Sequence, residues 1–529
     1  MSPKLKFFAV ILMTAAVGSA QAQPACPVDP AAYPAIGEQE MAQLRWTLNL
    51  ASRPLDDFTN LEGLDQFGMH AYRYQIAFMG YALALEQYHK IPAYPGLIQP
   101  SLNRLIEKIL EKPVWEYWAR ISQGIPAFEP KRDKPYPEAH DPVGDRNIMY
   151  SGHIGHLIGL YEMLYRDRRW DQPGSIVFAW SDSEKSVYNH DSLEKVMWRQ
   201  MEENPWHSIA CEPNAVFPEC NQHPVLSFLL YDHVHGTHLA EVNAKFLEFF
   251  LSREFIDPKS HETADYYLIK QETMFSARNP RAGNAYDLIS VPVGTFKLLG
   301  KGSSTANGWT GAFMHAWEPE FIARHYPYQR DAHLRQAKEE MLRLDRDNPS
   351  FLTLKYGFFA AYAEEMGDPE TADKLLAFAD QKYQHEFKDG MLYYPWDKGI
   401  FTSHLTGHLL FLARANVKDG LWKLHQEPWG EAHFQEPLIE AVDYPSVLVR
   451  RAIYDGSKKA LIVSTQPGSV VGTGLKPAST TAFRVRNLTS GRNYGLWQDG
   501  KFIKQLKGQD SITLEAPLDG PHDLVIAEI

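Results

Sequence analysis

Two cysteines nine positions apart, Cys211 and Cys220, bracket the segment Cys211-Glu-Pro-Asn-Ala-Val-Phe-Pro-Glu-Cys220-Asn-Gln-His223. Thiols, Glu212, Glu219 and an imidazole on one short stretch can give and take protons. Pro213 and Pro218 each lack an N–H and fix φ, which predicts a stiff loop rather than a regular helix there. Reactive groups are usually displayed on such segments. The chain has three cysteines in all, the third being Cys26. Three cannot all pair with one another, and a structural Cys211–Cys220 disulfide stands as the alternative reading of the pair.

A second segment, Asn147-Ile-Met149-Tyr150-Ser-Gly152-His153-Ile-Gly155-His156, has helical spacing. Tyr150 and His153 are three apart and share a helix face. Gly152 and Gly155 would each cost about 1 kcal/mol relative to Ala inside a helix, so something is expected to pack closely against that turn. A lone helical histidine is more often a satisfied core residue, and the row Tyr72, Tyr74, Phe78 reads most simply as core. Cys211, Cys220, His153, His156, His207 and His223 are zinc-ligand types. Their spacing, with one Cys-x8-Cys and no Cys-x2-Cys, fits no standard pattern, and no metal is expected. Asp141, Asp145, Asp182, Glu212, Glu318 and Glu320 are the residue type a glycosidase pairs across its substrate. A carbohydrate-active hydrolase or lyase is therefore the alternative function.

The elements that must position these groups are mostly helical. From about residue 38 to 425 apolar residues recur at helical spacing, as in 74–88 and 148–165. Asp191 and Glu194 read as a capping pair for a helix through Met201. Further helices are expected at 224–233, 238–252, 310–325, 331–345, 352–366 and 403–415. Around Gly367-Asp368-Pro369 one helix should end on glycine and the next begin. No strand-type alternation interrupts the series, which argues against a parallel α/β sheet. A dozen or so helices in antiparallel pairs fit an (α/α)6 barrel over residues 23–435. After residue 440 the pattern becomes short strands (447–454, 460–465, 481–487, 494–498, 501–506, 511–515 and 523–527). Asp455-Gly456 and Asp499-Gly500 sit at hairpin positions, so 440–529 reads as a small antiparallel β-sandwich.

Residues 1–22 resemble a secretory signal peptide, with Lys4 and Lys6, an apolar run from Phe7 to Val17, and Ala20-Gln21-Ala22. The chain is expected to be exported, to the periplasm, without a membrane span. A formal charge of −12 with no long basic run argues against a nucleic-acid partner. Aromatics make up 12% of residues, which suits a pocket lined by rings.

With these segments in view, the chain resembles the linalool dehydratase-isomerase family. The match runs through Tyr74-Gln-Ile-Ala-Phe78, Asn147 to His153, Cys211-Glu-Pro to Cys220-Asn, and Leu230-Tyr-Asp-His-Val-His-Gly-Thr237. It continues through Gly308-Trp-Thr, Pro319-Glu-Phe and His325-Tyr-Pro. The resemblance implies an exported (α/α)6 barrel that interconverts a tertiary allylic alcohol, its primary isomer and a diene, with no cofactor. It implies a small apolar alcohol as substrate and leaves homo-oligomerisation open. Carried over by motif, Cys211, Cys220, His153 and Tyr74 would be catalytic, and Met149, Phe217 and Trp309 would line the pocket. Glu212, next to Cys211, is expected on the substrate side, and a Cys211–Cys220 disulfide would be an inactive form. The family's early Asp and Tyr have no clear counterpart around 51–57, where Asp56, Asp57 or the later Asp65 could substitute. Its later pocket tyrosine falls near Thr305, and the insert 300–305 has no evident equivalent.

Overall fold

The computed structural model describes residues 24–529 apart from 64, 66–68, 127, 276–303, 343–351, 384, 395–402 and 469–478. The leader expected over 1–22 and most of the insert 300–305 lie outside the described residues. The molecule is predominantly helical, with several small antiparallel sheets.

The helices are α1 (Glu38–Ser52), α2 (Tyr72–His89), α3 (Pro95–Ile109), α4 (Lys112–Trp115), α5 (Tyr117–Ile121), α6 (Ile148–Tyr165), α7 (His190–Glu203) and α8 (Pro218–His235). They continue as α9 (Asn243–Ser252), α10 (Ser304–His315), α11 (Pro319–Leu342), α12 (Leu352–Glu365), α13 (Pro369–Lys382), α14 (Ser403–Ala415) and α15 (Gly420–Gln426). Among them α2, α6, α8, α10, α12 and α14 each pack on the next, and α14 packs back on α2, so their contacts close a ring. Helices α1, α3, α7, α11 and α13 pack on members of that ring. The short α15 touches α2, α8, α10 and α12 and so reaches several ring members at once. The sequence of α6 explains its place: every residue from Ile148 to Leu164 is buried, as in a helix apolar on all sides.

Close approach within the ring depends on glycine. A Cβ on Gly152 would meet Pro224 and His223 of α8, and one on Gly155 would collide with Glu194 and Ser227. The packing expected against that turn is thus supplied by α7 and α8.

Several local expectations are corrected. Short hairpins interrupt the helical series: β1–β2 (Ile176–Ala179, Lys185–Tyr188), β3–β4–β5 (Ala215–Val216, Tyr266–Leu268, Thr273–Phe275) and β6–β7 (Glu386–Lys388, Met391–Tyr393). With two to four residues per strand they carry too few alternations to register as a pattern. The helix expected at 310–325 ends at His315, and a new one begins at Pro319 and continues to Leu342, over the described part of the segment expected at 331–345. The cap of α7 is Asn189 paired with Ser192, while Glu194 is buried inside. Pro218 does not exclude a helix: it occupies the first position of α8, where an N–H is not needed. Cys220 therefore rides on a helix, and only Cys211 lies in the preceding loop.

The C-terminal residues form two antiparallel sheets. One has the order β13 (Lys501–Lys507), β12 (Asn493–Gln498), β15 (His522–Glu528), β10 (Ala460–Pro467), β9 (Val447–Asp455); the other is β14 (Ser511–Pro517), β11 (Thr480–Arg486), β8 (Leu438–Glu440). Asp499 and Gly500 both have positive φ in the β12–β13 turn, the geometry a two-residue hairpin requires. Backbone bonds from Ala93 to Ala452 (2.9 Å) and Ile439 to Ala93 (2.8 Å) seat these strands against the α2–α3 connection.

Ring closure makes a direct prediction. A Cβ on Gly308 would lie 2.8 Å from the Phe358 carbonyl carbon and the Phe359 nitrogen, both backbone atoms that cannot swing away. Gly308→Ala should destabilise the protein by about 1–3 kcal/mol, read as a lowered midpoint in thermal unfolding. An unchanged midpoint would contradict the close α10–α12 contact.

Candidate active site

The ring helices and α15 bring six aromatic and imidazole side chains into one buried chain of hydrogen bonds. His425 Nδ1 lies 2.7 Å from the Leu421 carbonyl, and its Nε2 lies 2.7 Å from His156 Nε2. His156 Nδ1 lies 3.1 Å from His223 Nδ1, and His223 Nδ1 is also 3.2 Å from the Tyr81 hydroxyl. Tyr81 Oη lies 2.7 Å from His153 Nδ1. Trp309 Nε1 donates to His223 Nε2 at 2.9 Å.

Burial pushes these histidines to their neutral forms. It drives His153 down to about 3, with Arg73 adding to the effect. His425 falls to about 4 by burial, and His156 and His223 are held well below the usual imidazole range by burial and by one another. A neutral imidazole has one donor and one acceptor nitrogen, which fixes every proton in turn. The Leu421 carbonyl only accepts, so His425 carries its proton on Nδ1 and accepts at Nε2. His156 then donates from Nε2 and accepts at Nδ1. His223 donates from Nδ1, in agreement with Trp309, whose indole N–H requires an acceptor at His223 Nε2. Tyr81 donates to His153 Nδ1, which leaves the His153 proton on Nε2. That Nε2–H is fully buried and has no hydrogen-bond partner among the described residues.

Around His153 stand Tyr74 (ring centroids 5.9 Å apart), Phe78 (5.8 Å) and Trp309 (6.1 Å), with Phe358 stacked on Trp309 at 4.8 Å. Tyr74 donates its hydroxyl to the Met149 sulfur at 3.3 Å. Arg73 lies across the rings of Tyr74 (4.4 Å) and Tyr117 (4.0 Å) and pairs with Asp65 at 2.7 Å, both side chains fully buried. Of the three carboxylates available to replace the family's early aspartate, Asp65 is the one joined to this group. Asp57 accepts from Thr59 at the surface.

Cys211 and Cys220 are free thiols, both buried, and each acts on the ionisation of the other. Burial raises both. Their mutual interaction further raises Cys211 and lowers Cys220. The charge of Glu212, fully buried, raises both thiols and Tyr74, while that of Arg73 lowers Cys220. Burial also raises the Tyr74 phenol, so the groups facing one another here are uncharged acids.

The structure brings His153, Tyr74, Met149 and Trp309 together, with Cys220 and Glu212 acting on the Tyr74 phenol electrostatically. Phe217 packs elsewhere, on Tyr266 (5.2 Å) and Phe128 (6.4 Å). The zinc set does not assemble as a whole, since His207 turns to the Met201 carbonyl at 3.3 Å while His153, His156 and His223 are engaged with one another and with Tyr81. Asp141, counted among the glycosidase carboxylates, bonds Tyr188 at 2.6 Å on the β1–β2 side. Tyr81, His425, Arg73 and Tyr117 carry no motif and escaped the sequence reading. Their roles come from contacts between residues far apart in the chain.

A family profile described as linalool dehydratase/isomerase matches residues 73–289 and 281–400. The chain belongs to the linalool dehydratase/isomerase family, and it is an enzyme of that type. Among solved structures it is similar to a crystal structure of an unsaturated glucuronyl hydrolase specific for heparin. The identity is 6%, with 74% of this chain and 96% of that chain covered and a TM-score of 0.41.

The buried neutral histidines predict how stability responds to acid. In the unfolded chain each takes up a proton near 6.5, whereas in the folded protein His153 and His425 do so only near 3 and 4. The unfolded state therefore binds more protons between those limits. Stability should be fully present above pH 6.5 and fall below it by about 1.4 kcal/mol per pH unit for each such histidine. Urea unfolding at pH 7.5 and 5.5 measures this, and equal stabilities would contradict neutral burial.

Proposed function

We propose that this protein is a hydro-lyase and isomerase acting on a tertiary allylic, terpene-like alcohol, with Cys211, Cys220 and His153 as its acid–base groups. The observation that carries the reading is the pair of buried, mutually interacting thiols, both held protonated. An imidazole N–H without a partner among the described residues stands beside Tyr74, whose phenol Cys220 also acts on.

Dehydration needs a proton on the hydroxyl oxygen and removal of another from a neighbouring carbon. Cys220 gives its proton to the hydroxyl as the C–O bond breaks, and water leaves. The Cys211 proton moves to the Cys220 sulfur. The Cys211 thiolate so formed takes the proton from carbon, the C–H pair becomes the new double bond, and both thiols are restored. The substrate has lost H and OH, and no proton is left over. Such a relay starts from two neutral thiols, as burial demands, and Arg73, whose charge lowers Cys220, favours that thiol as the one that gives its proton first. His153 holds the hydroxyl oxygen through Nε2–H, as a donor. Water returning to the other end of the allylic system gives the isomer. The faces of Tyr74, Phe78 and Trp309 stabilise cationic character on carbon by about 0.5–2 kcal/mol per ring.

The same reading takes the closed ring of helices as an (α/α)6 toroid and the two C-terminal sheets as a β-sandwich behind it, in a chain exported to the periplasm. Little supports paired carboxylates acting on a sugar, since the buried site groups are mainly thiols, phenols and neutral imidazoles.

Reduced protein incubated with a panel of tertiary allylic alcohols should release dienes into the headspace. Cys211→Ala and Cys220→Ala should each lower that rate by about 10²–10⁴-fold, and the double variant should be hardly worse, because the thiols act as a unit. Full activity in either single variant would end the relay.

The pH dependence follows from the same pair. The active thiols are protonated and their pKa values are raised, so kcat/KM should hold through neutral pH and fall only above the ordinary thiol value of about 8.5. A rate that climbs with thiolate formation below that pH would contradict it.

A further inference from the structure

Two and a half turns along α6 from His153, a second group of ligand-type side chains meets where three helices and a loop converge. Glu162 comes from the last turn of α6, Asp171 from the 3-10 turn Arg169–Asp171, His190 from the start of α7 and His235 from the end of α8. One ligand atom from each lies within 4.8 Å of all the others. We infer that Glu162, Asp171, His190 and His235 form a binding site for a divalent transition-metal ion of the zinc class, which staples α6, α7 and α8 together.

The geometry fits such an ion. Zinc holds nitrogen and oxygen at about 2.0–2.2 Å, so neighbouring ligands of a tetrahedral site stand about 3.4 Å apart. Here His190 Nδ1 is 2.9 Å from Glu162 Oε2 and 4.0 Å from Asp171 Oδ1. His235 Nε2 is 3.0 Å from Asp171 Oδ1 and 3.7 Å from Glu162 Oε2. These separations bracket the required edge.

The outer groups fit as well. A metal-bound histidine characteristically turns its other nitrogen to a carboxylate or a backbone carbonyl. His190 Nε2 faces Glu194 Oε1 at 3.5 Å, and Glu194 is itself held by the Ser227 hydroxyl at 2.6 Å. His235 Nδ1 is 3.1 Å from the Tyr231 carbonyl, with the two rings stacked at 3.9 Å. Glu162 and His190 are fully buried, and Glu162 Oε1 has no hydrogen-bond partner among the described residues. Binding would displace the proton from His190, as metal ligation of an imidazole requires, and the two carboxylates would then neutralise a doubly charged ion. Asp171 and His235 reach partial exposure and give the ion its way in.

His235 lies in the segment Leu230 to Thr237, which helped mark the chain's family resemblance but takes no part in the proton relay. The ion is placed about 13 Å along α6 from His153, at 1.5 Å per residue. Its role is to fix the helices that carry His153, Cys220 and His223, and it does no chemistry on substrate.

The full chain, purified without a histidine tag and stripped with a chelator, should take up one equivalent of Zn²⁺ and show a raised thermal midpoint. With Co²⁺ the protein should develop visible d–d bands but no sulfur-to-cobalt charge-transfer band. His235→Gln should weaken binding at least about 100-fold. Asp171→Asn, a partly exposed isosteric change that keeps the fold, should weaken it too. The Cys211→Ala/Cys220→Ala protein should bind as wild type does. No uptake and no thermal shift would overturn the proposal and leave an ion-pair network only. Uptake lost in the double cysteine variant but kept in Asp171→Asn would equally overturn it, by moving the metal to the thiols. Neither outcome bears on whether the protein dehydrates an alcohol.

Discussion

A single hydrogen-bond direction governs the site. The Leu421 carbonyl can only accept, and from it the protons of His425, His156, His223, Tyr81 and His153 are ordered one after another. The order survives because the surroundings exclude charge: all four imidazoles are fully or almost fully buried and neutral. In water each ring would exchange tautomers freely. Here a reversed proton would leave a buried donor facing a donor, at a penalty of about 1–3 kcal/mol for each unsatisfied group.

The fold anchors that chain at both ends. Glu365, on α12, accepts from the Leu421 and Trp422 nitrogens (2.7 and 3.0 Å), which fixes the first turn of α15 and so the position of His425. Trp309, on α10, sets His223 from the other side. Glycines at 152, 155 and 308 let the ring helices approach closely enough for side chains from α2, α6, α8 and α15 to share one line of contacts. Beside these neutral rings stand charged groups, the Arg73–Asp65 pair and Glu212, and Arg73 lowers Cys220 and so biases that thiol to ionise first.

Much of this was legible in the residues. The helical spacing of 148–165, the glycines at 152 and 155 and the segment from Cys211 to His223 pointed to α6 and to the approach of α8. What stayed hidden is instructive. Pro218 looked like a helix breaker but starts α8, because only its position relative to the first turn decides its effect. Tyr81 and His425 look like ordinary core residues, and nothing in one dimension joins positions 81, 153, 223 and 425. Residue type and motif mark His153 as a catalytic candidate but not which of its nitrogens holds the proton. Its tautomer, which makes it a donor, depends on a carbonyl far along the chain.

The most direct test is the protonation state of that one ring. Long-range ¹⁵N–¹H correlation spectra of histidine-labelled protein between pH 6 and 8, with His153 identified by its loss in His153→Gln, report which nitrogen holds the proton. The account predicts a neutral His153 with its proton on Nε2, unchanged across that range. A proton on Nδ1, or an imidazolium appearing as the pH approaches 6, would contradict it.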